Sequence, residues 1–345
     1  MTQRSRLLAE VKDAVTPRTT LLVIGVIALQ LLFIASYVGA LHDPKPKDVP
    51  FGVVAPRAAA EQAVTRLEQL PGSPLDPRVV ADEATARQQM LNRDIDGALI
   101  INPARTTDTL LVASGGGTVL ATTLERYLTL LETSQQRTIR TLDVAPASSQ
   151  DFDGLSSFYA VVGWCVGGYL CASVLAISTG ARPANPRRAV IRLTVMALAS
   201  IIGGLGGAVV IGPILGALPG SVMALWGLGA LVTFSVGAAT LALQGIFGIA
   251  GIGLAILLVV IAGNPSAGGA FPLPLLPPFW KAIGPALPPG AGTWVARSIA
   301  YFQGNATTGA LLVLSAWAAA GIVITLLAAI LRTRHQAADL PPQPP

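Results

Sequence analysis

From Leu155 to Leu331 the chain contains no aspartate or glutamate, and long apolar runs follow one another almost without pause. An ionised side chain at a bilayer centre costs about 2.5–3.5 kcal/mol on insertion scales, so a stretch this long without a carboxylate reads as a membrane block. The rest of the chain has to be arranged around it.

Composition agrees. Hydrophobic residues make up 52% and charged residues 12%, against about 25% charged in a soluble domain. The net charge of +5 is the sum of unlike parts. Residues 42–154 hold 11 Lys or Arg and 15 Asp or Glu, whereas residues 155–345 hold eight basic residues and Asp339 alone as an acid. The basic excess belongs to the connections between spans, and nucleic acid is not needed as a partner to explain it.

Taken in order, residues 1–18 place Leu7, Leu8, Val11, Ala14 and Val15 on one face of a possible helix beside Arg4, Arg6 and Lys12. That pattern suits a cytoplasmic amphipathic segment at the membrane surface, or a plain basic flank. Residues 19–41 form the first span. Its apolar region, about 20 residues against the 7–15 of a signal peptide, favours an uncleaved anchor. Spans two to six are expected at Phe158–Ser178, Ala189–Ile211, Ser221–Leu243, Ile246–Ala262 and Ala310–Leu331. The basic residues Arg182, Arg187, Arg188 and Arg192 set the loop after Gly180 in the cytoplasm, so both termini lie inside and residues 42–154 outside. Residues 332–345, with their terminal prolines, read as a disordered cytoplasmic tail.

Residues 42–154 have soluble composition and alternate strand and helix patterns. Strands are expected at Phe51–Val54, Arg78–Ala81, Ile95–Ile101 and Thr109–Ala113, and helices at Ala58–Leu70 and Asp82–Arg93. After Gly115, Gly116 and Gly117, the spacing of Leu120, Leu124, Tyr127, Leu128 and Leu131 predicts a helix to about Arg140. A small α/β domain follows. No Lys-Ser or Lys-Thr follows the glycine triplet, so it reads as a helix-entry turn rather than a phosphate loop. Cys165 and Cys171, the only cysteines, fall about 9 Å apart along one helix on different faces, which excludes a disulfide. Gly163/Gly167 and Gly203/Gly207 permit close helix contacts.

The sequence carries no catalytic or zinc-binding motif, and its spans lack the buried ionisable relay a proton-driven transporter uses. We therefore expect no enzyme activity and no cofactor. Residues 263–309 stand apart: eight prolines make them unsuited to a regular span, and they are too apolar for an aqueous loop. Short re-entrant or interfacial helices on the outer side fit that composition. Within them Lys281, Arg297, Trp280 and Trp294 are the candidate contacts for a substrate or an anionic headgroup, with interfacial snorkelling as the alternative for the two cations.

The run Gly263-Asn264-Pro265-Ser266-Ala267-Gly268-Gly269, then Pro274 to Trp280, Gly284 to Pro289, Arg297 and Tyr301-Phe302 resembles the last outer loop of one family. This is the phage-infection-protein-like branch of the type-2 ABC transporter permeases, with the related nitrosoguanidine-resistance-type membrane proteins. Phe51–Val54 and Asp96–Pro103 resemble segments of that family's outer domain. The resemblance implies a dimeric permease that exports a hydrophobic or amphipathic compound from a bacterial cytoplasmic membrane. It also implies a separate ATP-binding subunit, met by the loop carrying Arg182, Arg187 and Arg188. A non-transporting envelope scaffold or surface receptor, acting through the outer domain, is the alternative.

Overall fold

A computed structural model describes residues 16–338. The amphipathic helix expected before Pro17 and the last residues of the tail lie outside them. Helix α1, Pro17–Leu41, starts where Thr16 accepts a hydrogen bond from the Thr19 backbone N–H and Pro17 takes the first helical position, where its missing N–H costs nothing. It ends at the sheet domain. Most of its apolar side chains are exposed, Leu21 by 70% and Val26 by 64%, and it packs chiefly on α8 near the buried Ser36 and Ala40.

The sheet domain follows: β1 Val49–Val54, α2 Arg57–Glu68, β2 Leu75–Val79, α3 Glu83–Leu91, β3 Gly97–Ile100, β4 Thr107–Val112, α4 Thr118–Thr133 and β5 Thr138–Asp143. The strands are ordered β2-β1-β3-β4-β5. β1 runs parallel to β2 and β3, β4 runs antiparallel to β3, and β5 runs parallel to β4. The apolar faces of α2 (Ala60, Ala63, Leu67) and α4 (Leu120, Leu124, Leu128) cover one side with Phe51, Leu99 and Leu110. On the other side Ala86 and Met90 of α3 meet Val54, Ile95 and Leu111.

One expectation in this domain fails. The helix after the glycine triplet stops at Thr133, and residues expected to continue it to Arg140 form the edge strand β5. Gln136 adopts φ +59, a left-handed conformation that ends the helix. The alternation of Thr138-Ile139-Arg140-Thr141-Leu142 then fits a half-buried edge.

The membrane block comprises α5 Ser156–Thr179, α6 Pro186–Val209 with a π-wound extension to Ile214, α7 Val222–Phe247, α8 Ala250–Ser266 and α11 Thr308–Ala338. Among the described residues five helices, α1, α5, α6, α7 and α11, are long and apolar enough to cross a membrane. α8 is shorter, and its 17 residues span about 25 Å at α-helical rise. The expected turn at Gln244-Gly245 is displaced. α7 runs through it and reverses at Gly248, φ +65, while Gln244 is buried and donates from Nε2 to the Ala172 carbonyl at 3.3 Å. The tail differs too, since α11 continues past Leu331 to Ala338; no helix breaker precedes Pro341. Arg192, read as a loop residue, sits inside α6 and reaches back to the Thr179 and Gly180 carbonyls at 3.2 and 2.5 Å, satisfying the end of α5. Within the block the Trp164 ring lies against Gly207 and Gly229, and close backbone approaches at Gly168 and Gly204 fall one residue beyond Gly167 and Gly203. Both thiols are free, Cys165 buried and Cys171 partly so.

Residues 267–307 carry the short helices α9, Pro278–Ile283, and α10, Pro288–Tyr301, on the side of the block that bears the sheet domain. Short helices are what the proline-rich composition predicts. Gly284 permits the fold-back, because a Cβ there would run into the Ser266 carbonyl oxygen.

The sheet domain is fixed to this segment. Leu275, 2% exposed, belongs to the domain's own core with Phe271 packed beside it. The Lys47 N–H donates to the Pro274 carbonyl at 3.0 Å. Gly115 and Gly116 lie against Tyr301 and Phe302, and Gly117, φ +143, lies against Pro272. The triplet is thus a helix-entry turn and also a docking face, where side chains would hold the two parts apart. Leu275→Ala should destabilise the sheet domain by about 2–5 kcal/mol, the range for a buried leucine, although Leu275 lies far outside that domain in sequence. Limited proteolysis in membranes should show faster cleavage within residues 42–154, with Leu312→Ala, at a site 65% exposed, leaving the rate unchanged.

Candidate functional site

Docking leaves a chamber of about 580 Å³ between the sheet domain, the proline-rich segment and the first turns of α11, a size suited to a small organic ligand. Asp48, Arg93 and Asp96 face it from the sheet domain, Lys281, Trp294 and Arg297 from the proline-rich segment, and Ala310 and Val313 from α11. Its walls therefore combine charged side chains with the start of an apolar helix.

Arg93 occupies the left-handed position after α3, φ +61, which aims its side chain out of the domain. Its guanidinium carbon lies 3.3 Å from the Trp294 ring centroid and 4.8 Å from that of Phe302. Nη1 donates to the Trp294 carbonyl and to Ser298 Oγ, each at 2.9 Å. Stacking with directed donation uses the flat geometry of a guanidinium, which lysine lacks. Burial, with the nearby Arg297 charge, pushes Arg93 down to about 9.

Arg297, on α10, is 3% exposed. It donates to the Gly268, Gly269 and Gly154 carbonyls at 2.6, 2.8 and 3.2 Å, and its Nε has no partner. Burial pushes it down to about 10, against the pull of Asp151. Asp151 itself accepts from the Ser156 N–H at 2.8 Å and from the Tyr301 hydroxyl at 2.7 Å. Its oxygens are thus engaged elsewhere, and Arg297 is hydrogen-bonded to neutral oxygens alone.

Asp96 begins the approach to β3. Its backbone N–H bonds to the Pro50 carbonyl at 2.8 Å, while no salt bridge among the described residues engages its carboxylate. Burial raises it to about 6, opposed by the charges of Arg93 and Lys281. Lys281 donates to the Lys47 carbonyl at 3.2 Å.

Of the sequence candidates, Lys281, Arg297 and Trp294 converge on the chamber. Trp280 is absent from its walls and packs edge-on against Phe279, centroids 5.1 Å apart. Arg93 and Asp96 were missed. A carboxylate directly before the apolar run Gly97–Ile101 was the available signal for Asp96; Arg93 read simply as a helix end. Across the block, Arg182 donates to the Ile246 carbonyl at 2.8 Å and so joins the α5–α6 loop to the end of α7. Arg187 and Arg188 are exposed in the first turn of α6.

Comparison with known proteins assigns no family to the chain: no family model matches it, and no curated protein or solved structure does. What the helices and sheet define is the class, a polytopic helical membrane protein with a small α/β domain.

The chamber's acid gives a pH signature. Folded Asp96 titrates near pH 6, above the roughly 3.9 of an unfolded aspartate, so the folded chain holds this proton more tightly and ionisation is what burial penalises. The penalty is absent below about pH 4, grows between 4 and 6, and is complete above. Asp96→Asn should therefore stabilise the protein at pH 7.5 by up to about 3 kcal/mol and give no gain at pH 4. Thermal unfolding in micelles at both pH values measures this.

Proposed function

We propose that the chain is the membrane subunit of an ABC-type exporter, moving a hydrophobic or amphipathic compound out of a bacterial cell with energy from a separate ATPase. The observation that carries this reading is the chamber itself, charged against the sheet domain and apolar along the first turns of a spanning helix. A compound with a polar head and an apolar body matches both kinds of wall. The spans hold no carboxylate or histidine to relay protons, so an outside energy source is required.

In this reading α8 is the fifth of six spans. The chain then lies in the cytoplasmic membrane with both ends inside and residues 42–154 outside, as the clustering of arginine at the α5–α6 loop and after Leu331 favours. On the same reading Arg187 and Arg188, exposed in the first turn of α6, meet the ATPase, and two copies of the chain make the working unit.

Purification from native membranes at natural expression, in mild detergent, should recover a stoichiometric ATP-binding subunit by mass spectrometry. Reversing charge at both Arg187 and Arg188 should break that association without lowering the thermal stability of the membrane protein. Recovery of the chain only with envelope components, together with activity of residues 42–154 on a different membrane anchor, would instead make it a scaffold acting through its sheet domain.

A further inference from the structure

We infer that the chamber selects an amphipathic anion, a single acidic headgroup on an apolar tail, and that the Asp96 carboxylate is the element that limits its affinity. The inference rests on the chamber's role as the cargo site in the exporter reading and narrows the cargo to one charge type.

Charge and burial carry it. Three cations, Arg93, Lys281 and Arg297, face the chamber, and no carboxylate forms a salt bridge with any of them among the described residues. Their hydrogen bonds go to neutral oxygens: the Trp294 carbonyl and Ser298 hydroxyl for Arg93, the Lys47 carbonyl for Lys281, and three glycine carbonyls for Arg297. Burying a cation costs several kcal/mol unless a counter-charge accompanies it. Arg297, 3% exposed, keeps an Nε with no partner among the described residues, and no salt bridge joins it to Asp151, the carboxylate whose charge acts on it. Asp151, held by hydrogen bonds from Ser156 and Tyr301, offsets part of the Arg297 charge, while Arg93 and Lys281 face the chamber with no carboxylate in a salt bridge.

Two acids share the chamber walls. Asp48 is exposed and screened by solvent, whereas Asp96 is partly buried and faces Arg93 and Lys281. Its charge partly offsets theirs and repels an entering anion. Protonation of Asp96 removes that repulsion, so affinity for an anion rises as pH falls through the Asp96 titration, and affinity for a cation falls. The apolar tail has a surface to follow in Leu273, Ala310 and Val313.

The test uses the full chain in nanodiscs of zwitterionic lipid, read by Trp294 fluorescence against a Trp294→Phe background control. The probe is dodecanesulfonate, ionised at every pH used, compared with dodecyltrimethylammonium and a zwitterionic dodecyl sulfobetaine. We expect dodecanesulfonate to bind at least tenfold more tightly than either at pH 7.5, and to tighten several-fold at pH 5.5. Asp96→Asn should tighten it about tenfold at pH 7.5, the order expected for one partly screened charge, and should flatten the pH dependence. Lys281→Gln should weaken it several-fold, and Leu312→Ala should change nothing. Equal or tighter binding of the cation or the sulfobetaine, or an unchanged sulfonate affinity in Asp96→Asn, overturns the inference. The two readings fail separately: selective sulfonate binding with no ATP-dependent efflux from cells sinks the exporter alone, whereas ATP-dependent efflux of amphiphiles regardless of charge sinks the anion preference alone.

Discussion

The buried guanidinium of Arg297 joins the end of the sheet domain to two stretches of the proline-rich segment. Through its bonds to Gly154, Gly268 and Gly269 it ties α10 to the end of the sheet domain and to the start of the proline-rich segment. Each acceptor is a backbone carbonyl at a bend, and Gly154 and Gly268 have positive φ, so their carbonyls turn inward where ordinary helix or strand would use them up. A buried cation held this way makes several conformations of the segment costly at once, because losing any one acceptor leaves a charge with fewer partners in a poorly solvated place. The position of α10, and with it Trp294, Ser298 and Tyr301, follows from that arrangement.

Once α10 is placed, the sheet domain has a surface to meet. Arg93 lies over Trp294, Leu275 enters the domain's core, and the glycine triplet approaches Tyr301, Phe302 and Pro272. These contacts differ in kind, being cation–π, hydrophobic and steric, yet they act on the same joint. A soluble-looking domain and a membrane block are thereby held in a fixed relation, and the chamber is the space their shapes fail to fill. Motions that bind or release a ligand there would have to strain this joint, which gives a physical route from the wet domain to the spans.

The chamber's chemistry is a consequence of where its charges come from. Arg93, Asp96 and Asp48 arrive from a domain that tolerates charge because water surrounds it, while Lys281 and Arg297 belong to a segment otherwise almost without charge. Bringing them together in a half-closed space leaves cations without carboxylate partners and a carboxylate raised toward neutrality, a combination that neither part would sustain alone.

Much of the architecture was legible in the residues. The carboxylate-free stretch fixed the membrane block, since the cost of ionised groups in hydrocarbon depends on composition alone. Alternating strand and helix patterns gave the α/β domain, and the prolines of residues 263–309 announced short helices. Local differences have local causes: Gln136 in a left-handed turn ends a helix that the apolar spacing extends toward Arg140, and the reversal at Gly248 displaces the turn expected at Gln244-Gly245. Lys281, Arg297 and Trp294 stood out as rare polar or aromatic residues in an apolar segment. Arg93 and Asp96 had no such contrast, being ordinary charges in an ordinary soluble domain. Their role arises only when that domain docks about 200 residues away in sequence, where burial changes what a charge costs and what it can bind, and that long-range placement was decided by the tertiary structure alone.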